Sequence, residues 1–122
     1  MKEEESSKPV YDLEERTYQF AKSVRIFTRN LPKTISNIED SKQVVRSSGS
    51  VGANYIEANE ALSKKDFKMR IKICRKEAKE SAYFLGLLHE LNSQEFKREG
   101  FKLQDEAIQL KKIFSAIIEK SR

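Results

Sequence analysis

Basic side chains are concentrated in one short stretch of this chain, at a spacing suited to binding phosphates. Residues 64–79 hold eight lysines and arginines against two carboxylates, a local charge of +6 in a chain whose total is +5. Five of these cations form the candidate nucleic-acid-binding set: Lys68, Lys72, Arg75, Lys76 and Lys79. Steps of three and four residues place most of them along one side of an α-helix. Such a row predicts electrostatic contact with the backbone of RNA or DNA.

The basic row has other interpretations that the sequence leaves open. It could be a solvated helix face balanced by Glu77, Glu80 or neighbouring helices. It could also bind an acidic protein partner, another polyanion or a membrane surface. No aromatic residues clearly interleave with the cations, so nucleic-acid binding is expected to be weakly sequence-specific and strongly salt-dependent.

Catalytic and metal-binding constellations are not visible in the sequence. His89 is the single histidine, and Gly86 stands where a Glu-x-x-His iron motif needs glutamate. Cys74 is the single cysteine and falls on an apolar helix face, so we expect a small buried hydrophobe and no disulfide within the chain. The GxxG letters of residues 49–52 lack the strands of a nucleotide-clamping KH domain. The chain is therefore predicted to be non-catalytic, with no metal and no cofactor.

The basic stretch belongs to a predicted helix that also carries an apolar seam, and three further segments have the same periodicity. The seam of the basic helix contains Phe67, Ile71, Cys74, Ala78, Ser81, Leu85 and Leu88. The seams of the other three segments contain Leu13, Thr17, Phe20, Val24, Phe27 and Leu31; Val44, Ser48, Val51, Tyr55, Ala58 and Leu62; and Leu103, Ala107, Leu110, Phe114 and Ile117.

Local signals set the helix boundaries. Asp12 and Glu15 resemble an acidic capping box, and Pro32 should end the first helix near Asn30. We expect Ser36 or Asn37 to cap the second helix. Ser63 should cap the third, which would run for about 27 residues, or roughly 40 Å. Residues 92–100 hold the last turn signal.

The middle of the second segment is unusual because residues 47–53 are nearly all small. Gly49 and Gly52 would each destabilise a helix by about 1 kcal/mol relative to alanine, and a loop is the rival interpretation. The apolar seam nevertheless continues in phase through both glycines. We therefore predict a helix whose backbone lies unusually close to a neighbour.

These patterns predict an all-α, antiparallel up-and-down four-helix bundle over residues 11–120, preceded by a flexible leader of residues 1–10. Several apolar residues lie beside the seams: Ile26, Val45, Ile56, Ile73, Phe84, Leu87 and Leu91. They would either broaden the core or form a second apolar face for self-association. With no signal peptide and no membrane-spanning run, a cytoplasmic location is expected.

Two segments, residues 46–59 and residues 72–85, carry a family resemblance. Their most specific part is the small-residue run leading into Asn54-x-x-Glu57, followed by a basic third helix with Glu80. The chain resembles the bacterial four-helix bundle family encoded in intervening sequences of 23S rRNA genes. The resemblance implies a homopentameric ring without established catalytic activity. The accessory variability protein of diversity-generating retroelements is similar in fold, and it binds nucleic acid through a basic surface.

The same motif suggests a structural polar cluster of Asn54, Glu57 and Glu80 between the second and third helices. A buried carboxylate needs a cation or several hydrogen-bond donors, which Arg46, Arg75 or Lys76 could supply. A ligand site and plain solvent exposure are the alternatives. If the cluster is structural, Glu57→Ala should lower the melting temperature.

Overall fold

The computed structural model describes residues 13–122, and four α-helices make up most of that range. They are α1 (Leu13–Arg29), α2 (Ile35–Asn59), α3 (Lys64–Glu90) and α4 (Lys97–Lys120), with one 3-10 turn at Gln94–Phe96. No strand occurs within this range, which confirms the all-α prediction. The predicted leader and Asp12 of the capping box lie outside the described residues.

Each helix packs against the next one along the chain, and α1 also contacts α4 to close the bundle. The links between consecutive helices are short, so neighbouring helices run antiparallel. The α1–α4 contact is much less extensive than the α2–α3 and α3–α4 contacts. The basic helix α3 is therefore held between two well-packed neighbours.

The predicted seams form the core. In α1 and the turn after it, every seam position from Leu13 to Leu31 is at most 4% exposed. In α3 the seam is buried from Ile71 to Leu88, and Cys74 is fully buried as expected. Phe67 and Ile117 are partly buried against this core. The helical period of the apolar residues therefore predicted the interior faces of α1 and α3 correctly.

Two boundary predictions for α2 were wrong. Leu62 was placed on the seam, but α2 ends at Asn59 and the Leu62 side chain is 99% exposed in the following turn. Ser36 and Asn37 do not cap the helix, because Thr34 accepts a hydrogen bond from the Asn37 backbone N–H at 3.1 Å. Asn37 is instead buried and cross-links the α1–α2 turn to the end of α3.

The small-residue run is helical, and it brings α2 close to α1. A Cβ atom placed on Gly52 would lie 2.9 Å from Thr17 Oγ1 and 3.2 Å from Thr17 Cβ. Thr17 is itself buried and donates its hydroxyl hydrogen to the Leu13 carbonyl. The predicted close approach is therefore confirmed at Gly52.

The start and length of α3 match the prediction. Ser63 accepts a hydrogen bond from the Asp66 backbone N–H at 3.0 Å, and the helix contains 27 residues. At 1.5 Å per residue its length is about 40 Å. Within residues 13–122, no helix combines the length and hydropathy needed to cross a bilayer.

Candidate nucleic-acid interface

The α3 basic face consists of the five predicted cations, and all five reach solvent. Lys72, Lys76 and Lys79 are exposed, whereas Lys68 and Arg75 are half-buried. Because all five stand on one continuous helix, their spacing along the axis is fixed by the helix itself.

Core packing sets the direction of four of these side chains. Lys68, Lys72, Arg75 and Lys79 each follow a residue of the α3 seam by one position. Successive residues of an α-helix are rotated by about 100° about its axis, so the residue after a buried seam position lies at the edge of the buried face. Packing of the seam therefore holds the cations in a single row.

The row is not neutralised by carboxylates in the described part of the chain. No salt bridge of residues 13–122 engages Lys68, Lys72, Arg75 or Lys79. Lys76 differs, since its Nζ lies 3.5 Å from Glu77 Oε2. Four cations of the α3 basic face thus have no carboxylate partner within residues 13–122, while Lys76 lies beside the Glu77 carboxylate that also contacts α2.

The C-terminal turn of α4 extends the basic face. A recess of about 380 Å³ is lined by Lys68, Lys72 and Arg75 of α3 and by Ile118, Glu119 and Arg122. Arg122 adds a sixth cation to the five that were predicted. The one carboxylate, Glu119, lies 3.3 Å from Arg122, but both side chains are about 70% exposed, so this pair holds Arg122 only weakly.

A second, adjoining recess of about 620 Å³ continues the positive surface to the start of α3. Its lining includes Lys64, Lys65, Met69 and Arg122 together with Lys68 and Lys72. Arg122 reaches the start of α3 because the two helices are antiparallel, which places the end of α4 beside the N-terminal turns of α3. In the sequence, a basic residue just after α4 and two lysines at the start of α3 were the signal that could have identified Arg122.

Tyr83 lies one helical turn beyond Lys79, and its side chain is 64% exposed. No aromatic residue was predicted to belong to the basic row. An exposed ring at the i+4 position shares the helix face with Lys79. A base can stack on such a ring while the lysines contact phosphates.

The three residues of the predicted polar cluster lie in separate environments. Arg70 donates to Asn54 Oδ1 at 3.0 Å, and Asn54 donates to Ser50 of its own helix. Glu80 accepts a hydrogen bond from Arg46. Glu57 is exposed. No hydrogen bond of residues 13–122 joins Asn54, Glu57 and Glu80 to one another.

A different polar group connects α2 to α3. Arg46 of α2 bonds both Glu80 and Glu77, with its Nη1 lying 3.3 Å from Glu77 Oε1. Glu77 is only 5% exposed. Beneath it, the fully buried Ser47 and Ser81 hydroxyls are 2.7 Å apart. Arg46 was among the predicted partners, whereas Glu77 was predicted to be a surface charge, because a lone glutamate beside lysines gives no sign of burial.

The remaining reactive side chains, Cys74 and His89, contribute to the structure of the bundle. Burial raises the pKa of the Cys74 thiol to about 12, so the thiol is neutral near pH 7 and a poor nucleophile. His89 is half-buried, and its Nε2 is 2.8 Å from Gln104 Oε1. Residues 13–122 contain no group of three or more His, Cys, Asp or Glu residues that could hold a metal ion.

Comparison with known proteins agrees with this architecture. A solved structure from Bacteroides thetaiotaomicron VPI-5482, a protein of unknown function from the S23 ribosomal protein family, superposes with a TM-score of 0.69. The two chains are 29% identical, and the match covers 86% of this chain and 96% of the other. No curated protein matches the sequence. The model of the 23S rRNA-intervening sequence protein family matches residues 11–116, and the chain therefore belongs to that family.

Proposed function

We propose that this protein is a non-catalytic, oligomeric four-helix bundle that binds nucleic acid through the α3 basic face. The observation that carries the proposal is the row of Lys68, Lys72, Arg75 and Lys79, which no carboxylate of residues 13–122 pairs. Rigid seam packing presents these charges at a constant spacing. Contacts of this kind bind a phosphate backbone with little dependence on base sequence.

Self-association is supported by large apolar side chains outside the bundle core. Examples are Ile26, Ile56, Met69, Leu91 and Phe101, each of which is exposed. The family resemblance implies a ring of five, in which each subunit would present one basic face. Repeated faces raise the effective concentration of cations around a single nucleic-acid chain, so avidity increases without new contacts. We place the assembly in the cytoplasm.

The absence of catalysis is part of the proposal. The buried Cys74 thiol has a raised pKa, and the lone His89 is bonded to Gln104. Neither residue is presented to a substrate as an activated nucleophile or base.

A titration with labelled single-stranded RNA and duplex DNA at about 50 mM and about 200 mM salt tests the binding function. The proposal expects binding at low salt and a steep loss of affinity at high salt. If there is no binding at low salt, the proposal fails, and an acidic protein partner becomes the function to test. Light scattering tests the assembly, for which a mass of five chains is expected and a monomer would contradict the oligomer.

A further inference from the structure

A groove lies at the opposite end of the molecule from the two recesses that Arg122 lines. It lies where α1 ends and α2 begins, and it has a volume of about 330 Å³. Leu31, Pro32, Ile38 and Val45 supply its apolar lining. This volume is near the lower end of the range for ligand pockets, so it suits one or two bulky apolar side chains.

The rim of this α1–α2 groove is positively charged. Arg29, Lys33 and Lys42 line it, and none of its lining residues is acidic. Lys42 has one carboxylate nearby, Glu39 at 3.5 Å, but both side chains are more than 60% exposed. Exposed pairs of this type contribute only about 0–1 kcal/mol, so Lys42 remains available to another anion.

The base of the groove is held rigidly. Asn37 donates to the Pro32 carbonyl at 2.9 Å and exchanges two side-chain hydrogen bonds with Asn92 at the end of α3. Lys33 in addition donates to the carbonyl of Arg29, the last residue of α1. A groove that is already ordered loses little conformational entropy when it binds a partner.

We infer that the α1–α2 groove binds an acidic, amphipathic segment of a partner protein. A bulky aliphatic side chain of the segment would enter the apolar lining, and carboxylates within one helical turn of it would meet Arg29 and Lys42. Charge complementarity favours this occupant, because three cations surround the opening without a carboxylate among the lining residues. The groove thus adds a protein-binding site that is separate from the α3 basic face.

The test uses fluorescence anisotropy with the full chain and a labelled synthetic peptide. The peptide carries leucines at helical i, i+3, i+4 and i+7 spacing, separated by glutamates. One comparison peptide has glutamine in place of every glutamate, and another has serine in place of every leucine. The inference expects saturable binding of the first peptide and at least tenfold weaker binding of both others. Absence of measurable binding by the glutamate–leucine peptide overturns it.

Two matched pairs of variants locate the binding. Ile38 is 40% exposed and lines the groove, whereas Ile35 on the same helix is 84% exposed and does not. Ile38→Asp should raise the peptide Kd at least tenfold, while Ile35→Asp leaves it unchanged. Lys42→Glu should weaken binding, while Lys22→Glu, at an exposed position of α1 outside the groove, should not. Equal effects within either pair overturn the inference.

Two further measurements distinguish a partner-binding groove from a folding defect and from a contact between copies of the chain. Circular dichroism checks that each variant melts as the parent protein does, and RNA affinity should be unaffected by Ile38→Asp because the basic face is distant. If Ile38→Asp lowers the mass measured by light scattering, a second copy of the chain occupies the groove and the inference is wrong. RNA binding can fail without affecting this result, since the peptide assay does not depend on it.

Discussion

Arg46 of α2 holds the buried carboxylate of Glu77 on α3, with Nη1 and Oε1 3.3 Å apart. The same guanidinium bonds Glu80, so one side chain joins two turns of the basic helix to its neighbour. Removing the cation would leave a carboxylate that is 5% exposed, with Lys76 as its remaining salt-bridge partner among residues 13–122. This contact therefore fixes the register between the helix that carries the binding surface and the helix beside it.

Arg46→Ala should consequently destabilise the fold. Leaving a buried acceptor without its charged partner costs about 1–3 kcal/mol, the range we expect because Arg46 is itself half-exposed. Glu57→Ala is the matched control, since Glu57 is exposed, and its unfolding free energy should stay within about 0.5 kcal/mol of the parent. Urea unfolding of both variants measures the difference. A larger loss for Glu57→Ala than for Arg46→Ala would contradict this account of the α2–α3 contact.

The two glycines of α2 should respond differently to alanine. At Gly52 the added methyl would meet the buried Thr17, and overpacking of about 1–3 kcal/mol should exceed the gain of about 1 kcal/mol in helix propensity. At Gly49 the added methyl meets only the end of the Arg25 side chain, which can move. Gly52→Ala should therefore lower the melting temperature, and Gly49→Ala should leave it unchanged or raise it. The reverse order in thermal melts would show that α1 and α2 are not this close.

Sequence periodicity predicted the fold well because burial follows the helical phase. The seam from Leu13 to Leu31 is buried throughout, and the phase carried correctly through Gly49 and Gly52. The periodicity wrongly predicted that Leu62 is buried, because α2 ends at Asn59 and helical spacing no longer determines which residues face the core. Helical phase predicts burial only as far as the end of the helix, and the local sequence signals did not mark the end of α2.

The candidate site was predictable only in part. The row of cations on α3 could be predicted from the spacing of its residues. Arg122 could not, because it lies beside the row only through the packing of α4 against α3. Burial of Glu77 was likewise hidden, because a charged residue becomes buried only where a specific partner such as Arg46 reaches it. Glu57 was grouped with Asn54 and Glu80 by motif, and the structure gives it no shared contact with them.

Tyr83 should contribute to binding of single strands more than of duplexes. Stacking of one base on an aromatic ring is worth about 1–3 kcal/mol, and bases of a duplex are not free to stack on it. Tyr83→Ala is therefore expected to weaken RNA binding about tenfold while duplex affinity changes little. Tyr18→Ala serves as the control, because Tyr18 is similarly exposed on α1. Equal losses for RNA and duplex, or for both variants, would exclude a stacking role.

The buried thiol predicts a pH dependence of stability. The pKa of Cys74 is raised to about 12 in the folded chain, so the unfolded chain releases this proton first as the pH rises. Stability from the neutral thiol is fully present below about pH 9 and falls by up to about 1.4 kcal/mol per pH unit between pH 9 and 12. Cys74→Ala removes this component. The parent and variant unfolding free energies should converge as the pH rises through that window; a constant difference would contradict the raised pKa.

The most direct measurement of the central claim compares RNA binding by two charge-reversed proteins. Lys72→Glu with Arg75→Glu alters the α3 basic face, whereas Lys22→Glu with Lys112→Glu makes the same change in net charge at exposed positions on α1 and α4. At about 50 mM salt the first protein should lose at least about a hundredfold in affinity and have a shallower salt dependence, while the second stays within about threefold of the parent. Equal losses in the two folded proteins would show that net charge alone drives binding, and that the row on α3 is not the site.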